Sequence, residues 1–308
     1  MTGVGVGASG GELTVHHDPA ALAAVTRTLR RAGRPVMLVP TMGALHAGHR
    51  GLIRAARRTP GASTVVSIFL NPVQFTSRRD FDHYPRQLDA DLTVCREEGV
   101  ELVFVPSTQA MSPPGSETTV VPGALGHELE GASRPGHFAA VLTVVATLFG
   151  IVGPDRAFFG EKDYQQLVLV QRMVTDLEMG VRVIGVPTVR EADGLALSSR
   201  NVHLDGVARG GAATLPAALR AGARAGAQGH DAVLAAARAV MATASTSLAT
   251  VALDYLVLRD PQLRATPARG PARLLLAATV GTTRLIDNVG LWLGASDVAR
   301  DVNGQGGR

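Results

Sequence analysis

The sequence predicts an α/β fold, a doubly wound parallel sheet followed by a smaller C-terminal α+β domain. Three observations carry this expectation. Short runs rich in Val, Ile and Leu alternate with longer segments whose apolar residues recur at helical spacing. The hydrophobic fraction is 46%, which suffices for a full core in a chain of 308 residues. Beyond Pro187 the texture changes to an alanine-rich stretch followed by further strand-like runs.

The elements follow in order. Residues 1–13 read as a flexible tail: the stretch Met1 to Gly11 is glycine-rich, with neither the basic start nor the apolar core of a signal peptide. Val36 to Val39 is the first clear strand, ended by Pro40, and His49 to Arg58 carries Leu52, Ile53, Ala55 and Ala56 at helical spacing. Thr64 to Leu70 is a second buried strand, closed by Asn71-Pro72. A helix over Leu88 to Glu98 leads to a strand over Leu102 to Val105, then to a long polar loop with Pro113, Pro114 and Pro122. A Phe138 to Ile151 helix, an Arg156 to Phe159 strand, a Gln165 to Asp176 helix and a Val181 to Val186 strand complete a Rossmann-like domain over residues 14–187. Residues 188–295 form the second domain, with helix over Ala208 to Ala244 and strands over Val251 to Leu258 and Arg273 to Val280. Residues 296–308 read as a disordered tail.

Composition excludes several classes. The uncharged stretch from Phe138 to Pro154 contains Gly150 and Gly153 and falls short of the ~20 apolar residues a membrane span needs, so it reads as a buried helix. The single cysteine, Cys95, permits neither an intramolecular disulfide nor a thiolate cluster and fits a reducing, cytoplasmic setting. Net charge is +4, but the arginines are dispersed, with short clusters at Arg54, Arg57, Arg58 and at Arg78, Arg79. These read as solvated surface or as screens for an anionic substrate, and no nucleic-acid partner is expected. One of the thirty basic side chains is lysine, Lys162. An ammonium is a compact point charge on a flexible stem, suited to a crowded phosphate where a planar guanidinium is not.

Four segments carry chemistry. The first, Pro40 to His49, stands where a buried strand hands over to a helix, the place where a doubly wound sheet binds phosphate. His46 and His49 fall on one side of the first helical turn and can donate to phosphate oxygens, while Gly48 leaves room for a base or ribose. A metal pair, for which no third ligand lies nearby in sequence, and plain helix-end histidines are the alternatives. The second, Phe158 to Gln166, again joins strand to helix: Gly160 permits close approach, Lys162 can hold a phosphate and Asp163 can accept from ribose hydroxyls, or the two charges belong to a surface network. The third, Leu197-Ser198-Ser199-Arg200-Asn201, offers two hydroxyls and a guanidinium to a pyrophosphate leaving group, or is an ordinary loop. The fourth, Phe69 to Phe75, sets the amides of Asn71 and Gln74 among apolar residues, as a small hydroxy acid requires, or is a turn with a capping amide.

In this order and register the segments resemble the pantothenate synthetase (pantoate–β-alanine ligase) family of the nucleotidyltransferase superfamily that bears the His-X-Gly-His signature. The likeness spans Val36 to Asn288 and takes in Val-Pro-Thr-Val-Arg-Glu-Ala-Asp-Gly-Leu-Ala and Thr-Thr-Arg-Leu-Ile-Asp-Asn. It implies ATP-dependent adenylylation of (R)-pantoate, then displacement of AMP by β-alanine, with Mg²⁺ accompanying ATP and a homodimer as the assembly. Carried over by position, Met42, Gly43, Ala44, Leu45, His46, Ala47, Gly48 and His49 line the ATP site, and His49 matches a proton donor. Gly160, Glu161, Lys162, Asp163, Val189, Leu197, Ser198, Ser199 and Arg200 match nucleotide contacts. Gln74 and Gln166 match pantoate ligands, Gln74 also lying near β-alanine. His46, His49, Lys162 and Arg200 are the expected catalytic set, and residues 188–295 the expected lid. Leu197 replaces a usual methionine of similar volume. The Asp89-Ala90-Asp91 segment is less acidic than in some relatives, which leaves Asp91 as the one candidate protein contact to the metal, otherwise held by phosphates. Arg50 beside the phosphate site is unusual and could point to solvent. A superfamily transferase acting on a phosphorylated substrate would instead carry basic residues in place of Gln74 and Gln166.

Overall fold

The computed structural model describes residues 13–75, 78–244 and 250–294; of the expected tails over 1–13 and 296–308, all but Leu13 lie outside them, and Leu13 packs against the core of the first unit. Two compact units are present, one of residues up to Glu161 with Leu169–Val186, the other of Lys162–Val168 with the chain from Pro187.

The first unit is built on β1 (Thr14–His16), β2 (Val36–Thr41), β3 (Ser63–Ile68), β4 (Leu102–Phe104), β5 (Arg156–Gly160) and β6 (Arg182–Val186), all parallel in the order β1-β4-β3-β2-β5-β6. Its helices are α1 (Pro19–Arg31), α2 (Ala47–Arg57), α3 (Arg78–His83), α4 (Leu88–Glu97), α5 (Thr108–Met111), α6 (Glu130–Ser133) and α7 (His137–Val152). Successive side chains of a strand face opposite sides, and here both sides are covered. Met37, Val39, Val66 and Phe158 pack with Leu52, Ile53 and Cys95 of α2 and α4. On the other face, Phe159 meets Phe149 of α7 edge to face. The strand order reverses beside β2, so the C-terminal ends of β2 and β5 open at the crevice where such sheets bind ligands. The apolar Phe138 stretch is buried as α7, and among the described residues no helix is long and apolar enough to cross a membrane.

The helix α8 (Tyr164–Asp176) begins in the second unit and continues in the first. The sequence suggests an unbroken first domain over 14–187, whereas residues 162–168 group with the second unit for identifiable reasons. The Tyr164 hydroxyl donates to Pro261 O at 3.0 Å, Arg273 stacks 3.8 Å over the Tyr164 ring, and Asn288 Nδ2 donates to Lys162 O at 3.0 Å. The second unit otherwise comprises α9 (Gly206–Ala212), α10 (Thr214–Arg224), α11 (His230–Ala244) and an antiparallel sheet β7 (Val251–Arg259), β8 (Gly270–Val280), β9 (Thr283–Leu293). Leu215, Leu219 and Val233 of the helices close on Leu256, Leu274, Leu276 and Leu293 of the sheet. The expected helical stretch Ala208 to Ala244 is three helices: α9 and α10 are divided at Ala213, and a 3₁₀ turn at Gly226–Gln228 with the positive φ of Gly229 (97°) separates α10 from α11. Gly222 permits the close approach of α10 to β8, since a Cβ there would stand 2.6 Å from Leu274 Cδ2.

Candidate active site

The junction from β2 to α2 is built by buried polar contacts. Thr41 Oγ1 donates to Ser67 O at 2.7 Å and accepts from Gly43 N at 3.2 Å. Gly43 and Ala44 then follow with φ of 82° and 52°, a left-handed pair that turns the chain toward the helix. For Ala44 that conformation costs ~1–2 kcal/mol. The loop is held there by Asp91 of α4, whose Oδ2 accepts from Ala44 N at 3.0 Å and Oδ1 from Leu45 N at 2.7 Å. Asp91 is 1% exposed, and burial pushes its carboxyl above the usual aspartate value, with the two amide donors opposing. Gly43 is required at this point, because a Cβ would lie 2.9 Å from Asp91 Oδ2 on a backbone that disfavours side chains.

The histidines form a reciprocal cap. His46 is the N-cap of α2, and its Nδ1 accepts from Gly48 N at 3.1 Å; His49 Nδ1 accepts in turn from His46 N at 3.2 Å. The rings lie 4.2 Å apart, tilted by 41°. Since each Nδ1 accepts a backbone N–H, the neutral rings carry their proton on Nε2. Two ring N–H donors therefore stand at the positive end of a helix. Gly48 makes room for His46 itself: a Cβ would sit 2.8 Å from His46 Cε1, so the glycine serves the imidazole ahead of any base or ribose.

Arg50 does not point to solvent. It bridges Glu97 at 2.5 Å and Glu98 at 2.9 Å, while Arg54 Nη2 meets Glu98 at 2.7 Å and Arg57 donates to the Glu98 carbonyl at 2.7 Å. Glu98 is buried, and its arginine hydrogen bonds, Arg54 first, hold its carboxyl below the usual glutamate value. The arginine cluster expected as solvated surface thus clamps α2 on α4, next to the Asp91 anchor. Both carboxylate oxygens of Asp91 thus hold the loop, and among the described residues no group of three or more His, Cys, Asp or Glu could hold a metal ion.

Also in the first unit, Asn71 caps the 3₁₀ turn Pro72–Gln74 by accepting from Val73 N and donates to Ala140 O at 3.3 Å. Gln74 Nε2 contacts Met42 Sδ, and the Gln74 carbonyl accepts from Arg134 Nη2 at 3.0 Å and His137 Nδ1 at 2.9 Å. The structure therefore brings together Met42 to His49 and joins Met42 to Gln74. Sequence reasoning gave Arg134 and His137 no role. Their spacing of three residues around Gly136, at the start of α7, is the signal that was there to be found.

In the second unit Lys162 belongs to a 3₁₀ turn, Glu161–Asp163, its ammonium 3.5 Å from Asp163 Oδ1. Val189 and Leu197 meet through Leu197 N→Val189 O at 3.0 Å, closing a hairpin. Ser198 then caps the turn Ser199–His203 by accepting from Arg200 N. Asn201 ties this turn to Glu191 Oε1 at 2.6 Å and Ala196 O at 3.1 Å. Arg209 braces Glu191 at 2.6 Å and Asp193 at 2.7 Å, which lowers both carboxyls; the Arg209 bond leads for Glu191 and the Leu195 amide for Asp193. Lys162, Gln166 and the 189–200 hairpin thus belong to one unit, and the histidine pair to the other.

Comparison with known proteins adds an independent line. The family model described as pantoate-beta-alanine ligase matches residues 14–290. The pantothenate synthetase of Mycolicibacterium smegmatis is 59% identical over 288 residues, 94% of this chain and 90% of that protein. A crystal structure of pantothenate synthetase from Thermus thermophilus superposes with a TM-score of 0.80 at 42% identity, covering 90% of this chain and 99% of that one. The pantoate-beta-alanine ligase of Francisella tularensis, solved complexed with beta-gamma ATP and beta-alanine, gives a TM-score of 0.75 at 32% identity, covering 90% and 97%.

Proposed function

We propose, from the premise that the chain belongs to the pantoate–β-alanine ligase family, that its two segments of ATP-binding character serve one two-step ligation. In the first step the pantoate carboxylate forms a bond to the α-phosphorus of ATP, the α–β phosphoanhydride breaks, and pyrophosphate leaves with the electron pair. In the second, the β-alanine amine attacks the acyl carbon, AMP departs, and the ammonium proton passes to solvent. The product is pantothenate.

The observation that carries this reading is the Nδ1 commitment of both histidines, which presents two Nε2–H donors at the N-terminus of α2. A carboxylate needs no base to attack. What slows the step is repulsion between anions, and donors aimed at developing phosphate charge relieve it by ~3–4 kcal/mol each. His46 and His49 act as such donors, His49 passing a proton toward the leaving oxygens, and Lys162 and Arg200 neutralise phosphate charge. Met42, Gly43, Ala44, Leu45, Ala47 and Gly48 contact the nucleotide, as do Gly160, Glu161, Asp163, Val189, Leu197, Ser198 and Ser199. Gln74 and Gln166 hold pantoate, the backbone of Gln74 being fixed by Arg134 and His137. Residues 188–295 act as the lid that keeps water from the adenylate.

Mg²⁺ is proposed to arrive with ATP as part of the substrate, held mainly by the phosphates. The proposed assembly is a homodimer, checked by sedimentation, and the proposed compartment is the cytoplasm. The decisive test mixes protein, Mg²⁺, ATP and pantoate and follows pyrophosphate, then adds β-alanine and follows AMP and pantothenate. Pyrophosphate exchange confined to phosphate-ester substrates would overturn the reading in favour of the superfamily transferase.

A further inference from the structure

The Thr282 to Asn288 motif has no role in the reaction as described. We infer that its last two residues, Asp287 and Asn288 of β9, are a positioning pair: Asn288 sets the Lys162 turn and Asp287 sets the 189–200 hairpin, so that one strand holds two segments in register. The inference rests on the reading that both segments bind ATP.

Neighbours on a strand point to opposite faces of the sheet. Leu285, Val289, Leu291 and Leu293 face the helices α9–α11, which assigns Asp287 to that side and Asn288 to the other. Asn288 shares its side with Arg273, whose register partner is Gly290 and whose guanidinium covers the Tyr164 ring. Both polar residues are buried, Asp287 at 2% and Asn288 at 4% exposure, in a sheet that is otherwise largely apolar. Burial of such groups is tolerated only with specific partners.

Those partners are the two segments. Asn288 Nδ2 donates to Lys162 O at 3.0 Å. Asp287 takes Arg190 bidentately, at 2.6 and 2.9 Å, and accepts from Asn288 N at 2.7 Å. Arg190 extends the chain in both directions, to Gly194 O at 3.0 Å within the hairpin and to Asn288 O at 3.3 Å on the strand. The hairpin is closed as a block by Glu191 N→Leu195 O and Leu197 N→Val189 O and braced from α9 by Arg209, and Arg190 is the residue that ties this block to β9. A lysine has a flexible stem of four carbons; fixing the carbonyl of Lys162 fixes the origin of that stem and the volume its ammonium can reach.

Because Lys162 is the sole lysine, an amine-reactive succinimidyl ester reports on it through one peptide mass, apart from the α-amino group. The experiment compares the whole chain with N288D, N288A and, as a control at the next position of the strand, V289A, a partly buried residue on the opposite face. In the wild type, Mg-ATP protects Lys162 from the reagent. In both Asn288 variants protection is lost, and pyrophosphate release with pantoate slows by ~10- to 100-fold, the scale of an ångström-level misplacement. Pantoate KM stays within about twofold and aminolysis of supplied pantoyl adenylate within about threefold, because Lys162 serves only the first step. V289A changes none of these. Should the Asn288 variants fail to fold, R190K, which loses the bidentate geometry, is expected to slow the first half-reaction selectively in the same way. The inference is overturned if adenylation in the folded variants stays within about threefold of wild type, if both half-reactions fall equally, or if V289A matches them. A wild type that releases no pyrophosphate with pantoate overturns the reading of the site and this inference with it; an active wild type with active Asn288 variants overturns this inference alone.

Discussion

Asp91→Asn separates two roles that one carboxylate could hold. The side chain accepts two backbone N–H groups from the loop ahead of His46, and the amide keeps one acceptor while turning an NH₂ toward the other donor. Losing a hydrogen bond to a charged acceptor costs ~1.5–3 kcal/mol, and an unpaired buried donor adds ~1–3 kcal/mol. Against this stands relief of the burial that raises the carboxyl. A net loss of about 3 kcal/mol, at the lower end of the two hydrogen-bond costs together, is enough for Gly43 and Ala44 to leave their left-handed conformations and take the histidine cap with them. Urea unfolding should show a lower midpoint at unchanged m. Pyrophosphate release should fall by ~10²-fold, because the donors are displaced by about an ångström. Raising Mg²⁺ should restore nothing. A variant within about 1 kcal/mol of wild type, whose lost activity returns with added Mg²⁺, would refute the anchoring role and make Asp91 a metal ligand.

Three further outcomes are expected. Lys162→Ala should slow adenylate formation by ~10²- to 10³-fold with little change in urea midpoint, and Lys162→Arg should also be badly impaired, its wider fork crowding the phosphates; near-normal turnover in the arginine variant would sink the reading of the lone lysine. Glu98→Gln should cost about 1–2 kcal/mol at pH 7, since the partners Arg50 and Arg54 are part-exposed. The folded carboxyl is held below 4.5, so its contribution is present above that pH and fades as pH falls through the depressed value; wild-type and variant unfolding curves should converge in acid. Cys95 is buried, and burial pushes its thiol up to about 12, so iodoacetamide should label it only on unfolding. The folded state keeps this proton while the unfolded thiol loses it above 9.0, so the wild type should lose stability relative to Cys95→Ala as pH rises from 9.0 toward about 12.

How far these features could be read from the sequence varied with their range. The parallel sheet was legible because buried strands announce themselves as apolar runs ended by Pro or Asn-Pro, as at Val36 to Pro40 and Thr64 to Pro72. β1 and α1 escaped notice although Asp18-Pro19 is a plain helix start, with Asp18 capping Ala21 N; a three-residue strand has too little periodicity to point to it. Motif residues at strand ends were legible because their chemistry is local. Asp91, Glu98, Arg134 and Asn288 were not read as anchors, because their partners lie 44 to 126 residues away in sequence. The division at residues 162–168 escaped for the same reason: Tyr164 joins the second unit through Pro261 and Arg273, contacts no local pattern records.

The histidine cap alters the usual argument about helix N-termini. Phosphate is ordinarily drawn there by unpaired backbone N–H groups. Here Gly48 N is taken by His46 and the His46 amide by His49, while Ala44 N and Leu45 N go to Asp91. Four amides around the turn are thus occupied before any ligand arrives. The two imidazole Nε2–H groups stand farther from the backbone than those amides and keep the favourable direction of the helix dipole. The same two ring donors can bind triphosphate and meet the charge that grows on the departing pyrophosphate. On this view the left-handed Gly43-Ala44 pair, the buried Asp91 and the Glu98 clamp serve one end: two rings whose Nδ1 atoms are committed to the backbone and whose Nε2–H groups are thereby aimed.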